Sequence, residues 1–381
     1  MATSHPACML RRIRVALGRP LAVAFGLLCL PLACREQPVP LIGSALGATF
    51  NSAIRLALED ATPGKGAVVV DTLFLAESSS IAASAIELAS TLLSRPNIVA
   101  VIGHTNSSAS LAAAQLYNDA KVVELAPTST AQLYSSAGPF SFRMVPPDQR
   151  QGRVLAEAVA RERPEGARVA VLYVNDDYGR SLRSVVSAAL DSLQLPIVAE
   201  LPHLDSPGRA RTVLGDIASV IQARPNAIVW LGRPTTLRAV LPAIRAALGP
   251  IPVLASDATT SWTFGGNVDG ALTDVRYVDF VDLEATPEGR SFRERYHARF
   301  GGIPGAGEAL AYDAMRVLIE AVRSGARTGD EVRRFLDDLG RRRPAFQGVT
   351  GPITFSIQGD MRRDPILLRI PAPESLSVAA P

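Results

Sequence analysis

Cysteine is nearly absent from this 381-residue chain: its three copies, Cys8, Cys29 and Cys34, all fall within the first 34 positions. The remaining body therefore has no disulfide and no cysteine metal site, and a zinc ribbon is excluded. Lysine is as scarce, with only Lys65 and Lys121, so the positive charge is almost all arginine. The 39 basic residues are scattered among 36 acidic ones, for a formal charge of +3, and form neither a block nor an aromatic-spaced stripe. Nucleic acid is a poor partner for such a surface. After the first forty positions no apolar run is long enough to cross a bilayer. The G-x-S-x-G elbow of a serine hydrolase is missing as well. What is present is a body rich enough in apolar residues, at 48% of the chain, to bury a large core in two lobes.

The N-terminus has the layout of an export signal. Arg11, Arg12, Arg14 and Arg19 precede the apolar stretch LAVAFGLLCLPLAC at 21–34. LPLAC resembles a bacterial lipobox, with Ala33 before a cysteine that would become the lipidated first residue; Pro31 stands where a leucine is usual. Residues 1–34 are therefore expected to be a signal, 35–40 a linker, and Cys34 a lipid anchor for a body that lies outside the cytoplasm, in the periplasm or on the outer face of the envelope.

From 40 to 130 apolar runs alternate with helical patterns: SAIRLALED at 52–60, AVVVDTLFL at 67–75, SIAASAIELASTLL at 80–93, IVAVIG at 98–103, then SLAAAQLYND and KVVELAP. A second series follows RMVPPDQRQG at 143–152, with helices expected at 153–162, 180–193 and 209–224 and strands at 168–174 and 227–232. Such alternation predicts βα units and two doubly wound parallel sheets. Helical patterning returns at 287–300 and 308–324, and GVTGPITFSIQGD at 348–360 reads as a closing hairpin.

Two hydroxyl clusters, GHTNSSAS at 103–110 and APTST at 126–130, each follow a strand pattern and precede a helical or turn segment. Ligands of open parallel sheets sit beyond the carboxyl ends of the strands, where free helix N–H groups point outward. Ser107, Ser108, Thr128, Ser129 and Thr130 are thus candidate donors to a carboxylate; taken singly, each is equally an ordinary helix cap. A carboxylate such as Asp257 suits an ammonium, and Tyr178 offers an apolar face with a polar edge. Each has a structural use as well: Asp257 as a turn cap, Tyr178 as surface packing, Asp176 and Asp177 as a solvated loop. Catalysis by Ser107 needs a base, and His104, though near in sequence, is more simply a buried structural residue. No cofactor and no metal site is expected.

VIGHTNSSAS, LAPTST, FRMVPPDQRQG, RVAVLYVNDDYG and GVTGPITFSIQGD, in this order and spacing, resemble the type I periplasmic binding proteins, specifically the branch similar to leucine/isoleucine/valine-binding proteins of ABC transporters. The similarity runs from about Leu41 to about Ile370. It implies two α/β lobes closing on a ligand and joined by three crossings, placed near 146–150, 279–284 and 347–352. The first lobe is then 41–147 with 283–347, and the second 148–282 with 348–381. In the family the serine opening the helix after the G-H strand end holds the ligand carboxylate, which falls on Ser107. The P-x-x-T turn contributes a carbonyl and a hydroxyl, matching Thr128 and Thr130, and the tyrosine of the D-Y-G turn matches Tyr178. The acidic partner of the ammonium falls on Asp257, where glutamate is usual, and Arg233 stands where an aromatic often follows the strand. If Arg233 faces the same cleft, a polar or acidic ligand side chain is favoured over leucine or valine.

The function so implied is that of a non-enzymatic solute-binding lipoprotein that delivers an amino-acid-like or small carboxylate ligand to an ABC permease. An alternative is a lipoprotein of the same fold that regulates an envelope enzyme or sensor through protein contacts.

Overall fold

A computed structural model describes residues 38–61, 70–77, 82–204, 210–259 and 270–371. The expected signal, Cys34 and the C-terminal residues 372–381 lie outside the described residues. The first sheet is fed by β1 (Leu41–Leu46), α1 (Ala48–Ala61), β2 (Asp71–Ala76), α2 (Ala82–Leu93), β3 (Ile98–Gly103), α3 (Ser107–Asp119), β4 (Val123–Ala126) and β5 (Ser141–Arg143). Its order is β2-β1-β3-β4-β5, all parallel. Both faces are covered, and the period of two in the strands divides their side chains between them. On β3, Ala100 and Ile102 join the core beneath α1, while Val101 joins the one beneath α2 and α3.

The second sheet is built from α4 (Asp148–Glu162), β6 (Val169–Val174), α5 (Asp177–Ser192), β7 (Ile197–His203), α6 (Ala210–Gln222), β8 (Ala227–Leu231), α7 (Pro234–Leu248), β9 (Val253–Ala255) and β10 (Arg276–Asp279). The chain then returns to the first lobe with α8 (Pro287–Phe300), α9 (Ala306–Arg323), α10 (Gly329–Asp338) and the hairpin β11 (Phe346–Gly348) with β12 (Gly351–Ile353). Finally β13 (Ile366–Arg369) adds an antiparallel edge to the second sheet, whose order is β13-β10-β9-β8-β6-β7. Alternation again divides the core: Val169 and Val171 face α4 and α5, Ala170 and Leu172 face α6 and α7.

Two expectations need correction. Residues 348–361 belong to the first lobe, because Val349, Ile353, Phe355 and Met361 bury in the same core as Phe50 and Leu310; the third crossing comes after Met361, not at 347–352. The reason is a contact distant in sequence, the pairing of Asp360 with Arg143 of β5. Helix α4 begins at Asp148 rather than at 153, directly after Pro147. Gly152, which reads as a breaker, lies inside it because a side chain there would meet Val185 of α5: an added Cβ would stand 2.9 Å from its methyl group.

Candidate functional site

The hydroxyl clusters lie where the strands of the first sheet end. Helix α3 is capped by Asn106, whose side chain accepts the Ala109 N–H at 2.9 Å, so Ser107 and Ser108 are released from the capping role that their positions suggested. Buried Ser107 instead accepts the Ala131 N–H through its Oγ at 3.1 Å, tying the start of α3 to the turn after β4. Within that turn Thr128 donates to the Thr105 carbonyl at 2.8 Å, and the Ser129 and Ser110 hydroxyls meet at 2.7 Å. Thr130 is fully buried, with its hydroxyl beside the Asp148 carboxylate, whose charged form it favours.

His104 is a structural residue. One ring nitrogen meets the Glu77 carboxylate at 3.1 Å and the other the Tyr117 hydroxyl at 3.2 Å. Both ring nitrogens are thus committed to Glu77 and Tyr117 rather than to Ser107.

The second lobe contributes the turn after β6. Asp176 caps α5 by accepting the Gly179 N–H at 2.9 Å. Gly179 is required there, since an added Cβ would lie 1.8 Å from the Val174 carbonyl oxygen. Tyr178 thereby turns inward, buried, and donates its hydroxyl to Asp257 Oδ1 at 2.6 Å. Burial raises the Tyr178 phenol well above its ordinary range, and the Asp257 charge adds to this. Asp257 opens the turn after β9; burial pushes its carboxyl up to about 6, with the nearby Asp148 charge adding to the rise and the Tyr178 bond opposing it.

Arg233, the N-cap of α7, pairs with Asp176 at 3.3 Å. Its charge has a counter-ion within its own lobe.

Two hydrogen bonds join the lobes across this region. Ser108 accepts the Asp177 N–H at 3.1 Å, and Ser181 accepts the Gln132 N–H at 3.0 Å. Beside the second, a cavity of about 310 Å³ lies between the turn at 131–133 and α5.

Three residues of this region escaped the sequence reading. Arg143 is fully buried behind the 128–131 turn and donates to the Ser129 and Ala131 carbonyls at 3.2 and 2.9 Å and to Asp360 at 2.6 Å. Asp148 and Gln151, on the first turn of α4, are also fully buried. Gln151 donates to Asp148 Oδ1 at 3.1 Å and accepts the Asp257 N–H at 3.4 Å. The one sequence signal was an arginine between Phe142 and Met144 in a strand, a charge in an apolar run that requires a partner.

The sequence profile of the family described as "Periplasmic binding protein" matches residues 42–366. The chain belongs to that family. Among its relatives, a Pseudomonas aeruginosa protein named "Amino acid binding protein" is 24% identical over 264 residues, 65% of this chain and 66% of that one, so the match spans just under two thirds of the relative's length. A substrate-binding protein of Streptococcus pneumoniae solved with isoleucine superimposes with a TM-score of 0.74 at 18% identity, over 88% of this chain and 97% of that one. A solute-binding protein of Rhodopseudomonas palustris solved with 3,4-dihydroxybenzoic acid gives 0.76 at 16%, over 87% and 93%. These likenesses show the fold of the type I periplasmic binding proteins. Such proteins bind solutes and are not enzymes.

Proposed function

We propose that this periplasmic binding protein is an exported lipoprotein, anchored through Cys34, that captures an amino acid between its lobes for an ABC permease. The observation that carries the reading is the pairing of chemistries across the region. The first lobe offers buried hydroxyls at helix and turn N-termini, Ser107, which accepts from Ala131 and keeps its own hydrogen, and Thr130 beside Asp148, in a turn held by the Thr128 and Ser129 hydroxyls. The second offers the Asp257 carboxylate, oriented by Tyr178. Hydroxyls and amides suit the ligand's carboxylate, and Asp257 suits an ammonium. A benzoate-like acid brings no ammonium to the Asp257 carboxylate, so the acidic group favours an amino acid over an aromatic acid. Ser108 acts in this reading on closure, receiving Asp177 from the opposite lobe.

Thermal melting against a panel of amino acids and aromatic acids tests it. A true ligand at a hundred times its dissociation constant should stabilise by about 2.7 kcal/mol, and Asp257→Ala should weaken an amino-acid ligand by about 1.5–3 kcal/mol. A protein stabilised by benzoates alone, with Asp257→Ala indifferent, would refute the amino-acid assignment. For the anchor, Cys34→Ser should move the exported protein from the membrane fraction to the detergent-free soluble fraction; continued membrane retention would exclude lipidation as its tether.

A further inference from the structure

The two hydrogen bonds that cross between the lobes share one form. Each gives a helix-start N–H of one lobe a hydroxyl of the other. Ser108 of α3 receives the N–H of Asp177, the first residue of α5, and Ser181 of α5 receives that of Gln132, the first residue of the helical turn at Gln132–Ser136. Such N–H groups have no acceptor within their own helix. The turn at Gln132–Ser136 has no side-chain cap of its own, so Ser181 supplies from the second lobe the acceptor that the first lacks.

Asp148 reinforces the second of these bonds. It stands at the first crossing, fully buried, with its backbone N–H on the Thr130 carbonyl at 2.9 Å. Its carboxylate draws hydrogens from the Thr130 hydroxyl of the first lobe and from the Ser181 hydroxyl and Gln151 amide of the second, all of which favour its charged form. Ser181 thus gives its hydrogen to Asp148 while its oxygen takes the Gln132 N–H, and a hydroxyl whose hydrogen is held by a carboxylate is the stronger acceptor. Through Gln151 the same group reaches the Asp257 N–H. Separating the lobes would carry Thr130 and Gln132 away from Ser181 and Gln151, and Asp148 could no longer hold donors from both sides.

We propose that Asp148 is the latch of the closed form: with Ser181 it holds the lobes together through bonds between protein atoms, so that closure is an equilibrium state of the chain itself, which a ligand selects and deepens. Asp148 is in this role a positioning residue that touches no solute. The inference rests on closure of the lobes over a solute, whatever the solute's class. No ligand enters the measurement that tests it, so its failure leaves the amino-acid reading standing, and a failure of that reading in the melting panel leaves the latch standing.

The experiment is small-angle X-ray scattering of the exported protein carrying Cys34→Ser, dialysed exhaustively at pH 8. This parent protein should give the compact radius of gyration of the closed form. Asp148→Ala and Ser181→Ala should each shift the closed-to-open equilibrium by about ten- to a hundredfold, the effect of losing a charge-assisted bond. Each should then enlarge the radius while the circular dichroism stays that of the parent. The double variant should open no further than the larger single change, because both act through one hydroxyl–carboxylate contact. Should Asp148→Ala not fold, Ser181→Ala still decides. A parent protein that is already extended, or a radius unmoved in the folded variants, overturns the latch. So does a radius that grows with Ser108→Ala alone, which would place closure on the Asp177 contact instead.

Discussion

Replacing Asp279 by Asn should stabilise the protein at pH 8, by about 3–4 kcal/mol if the full shift is realised. Asp279 ends β10 at the second crossing, only 5% exposed, with its Oδ1 accepting the Phe280 and Val281 N–H groups at 2.7 and 3.4 Å. Burial, with the Asp257 charge added, pushes its carboxyl up to about 7. In the unfolded chain it titrates near 3.9. Between these values the folded protein holds a proton that the unfolded chain has released, so stability falls as pH rises through the window and the cost is complete above about 7. Asp257, up to about 6, adds to the same slope, and Asp148, Asp313 and Glu124 are raised in the same direction by burial. The wild type should therefore resist denaturant better at pH 5 than at pH 8. Asparagine keeps the acceptor for both N–H groups and removes the charge, and Arg363 retains Asp313 as its counter-charge. Denaturant midpoints at the two pH values check this; an Asp279→Asn protein no more stable than wild type at pH 8 would refute it.

Replacing Arg143 by Met should destabilise the protein by about 3–5 kcal/mol, the usual effect of breaking a buried ion pair from one side. Nothing of Arg143 reaches solvent, and its guanidinium serves the Ser129 carbonyl, the Ala131 carbonyl, Ser135 and Asp360 at once. Its loss leaves Asp360 without its counter-ion and two turn carbonyls without donors, in the segment that presents Thr130. Lysine should not rescue it, because a single ammonium cannot reproduce the planar fork that spans these acceptors. Coupling to Asp360→Asn should be strong: the double variant should lose clearly less than the sum of the two single changes. Equilibrium unfolding of the four proteins measures the coupling; strict additivity would mean that the pair acts independently.

Ser107, Thr130 and Asp257 fall where periodicity put them, because strand ends and helix starts are local and a period of two or 3.6 locates them. The roles of these residues are less local. Asn106, not a serine, caps α3, a choice among four adjacent polar residues that the sequence left open. Arg233 meets Asp176 across 57 positions, and Arg143 meets Asp360 across 217. No pattern read along the chain shows such pairs, since any of the 36 acidic residues could have answered either arginine.

The order of the βα units and the parallel strands of the two sheets were determined by the sequence alone, because alternation of apolar runs and turn residues constrains each βα unit by itself. The third crossing, the partner of Arg233 and the burial of Asp148 between the lobes were decided by tertiary structure alone. Each depends on which distant surfaces meet, and an ionised or apolar side chain finds its final environment only when those surfaces have packed.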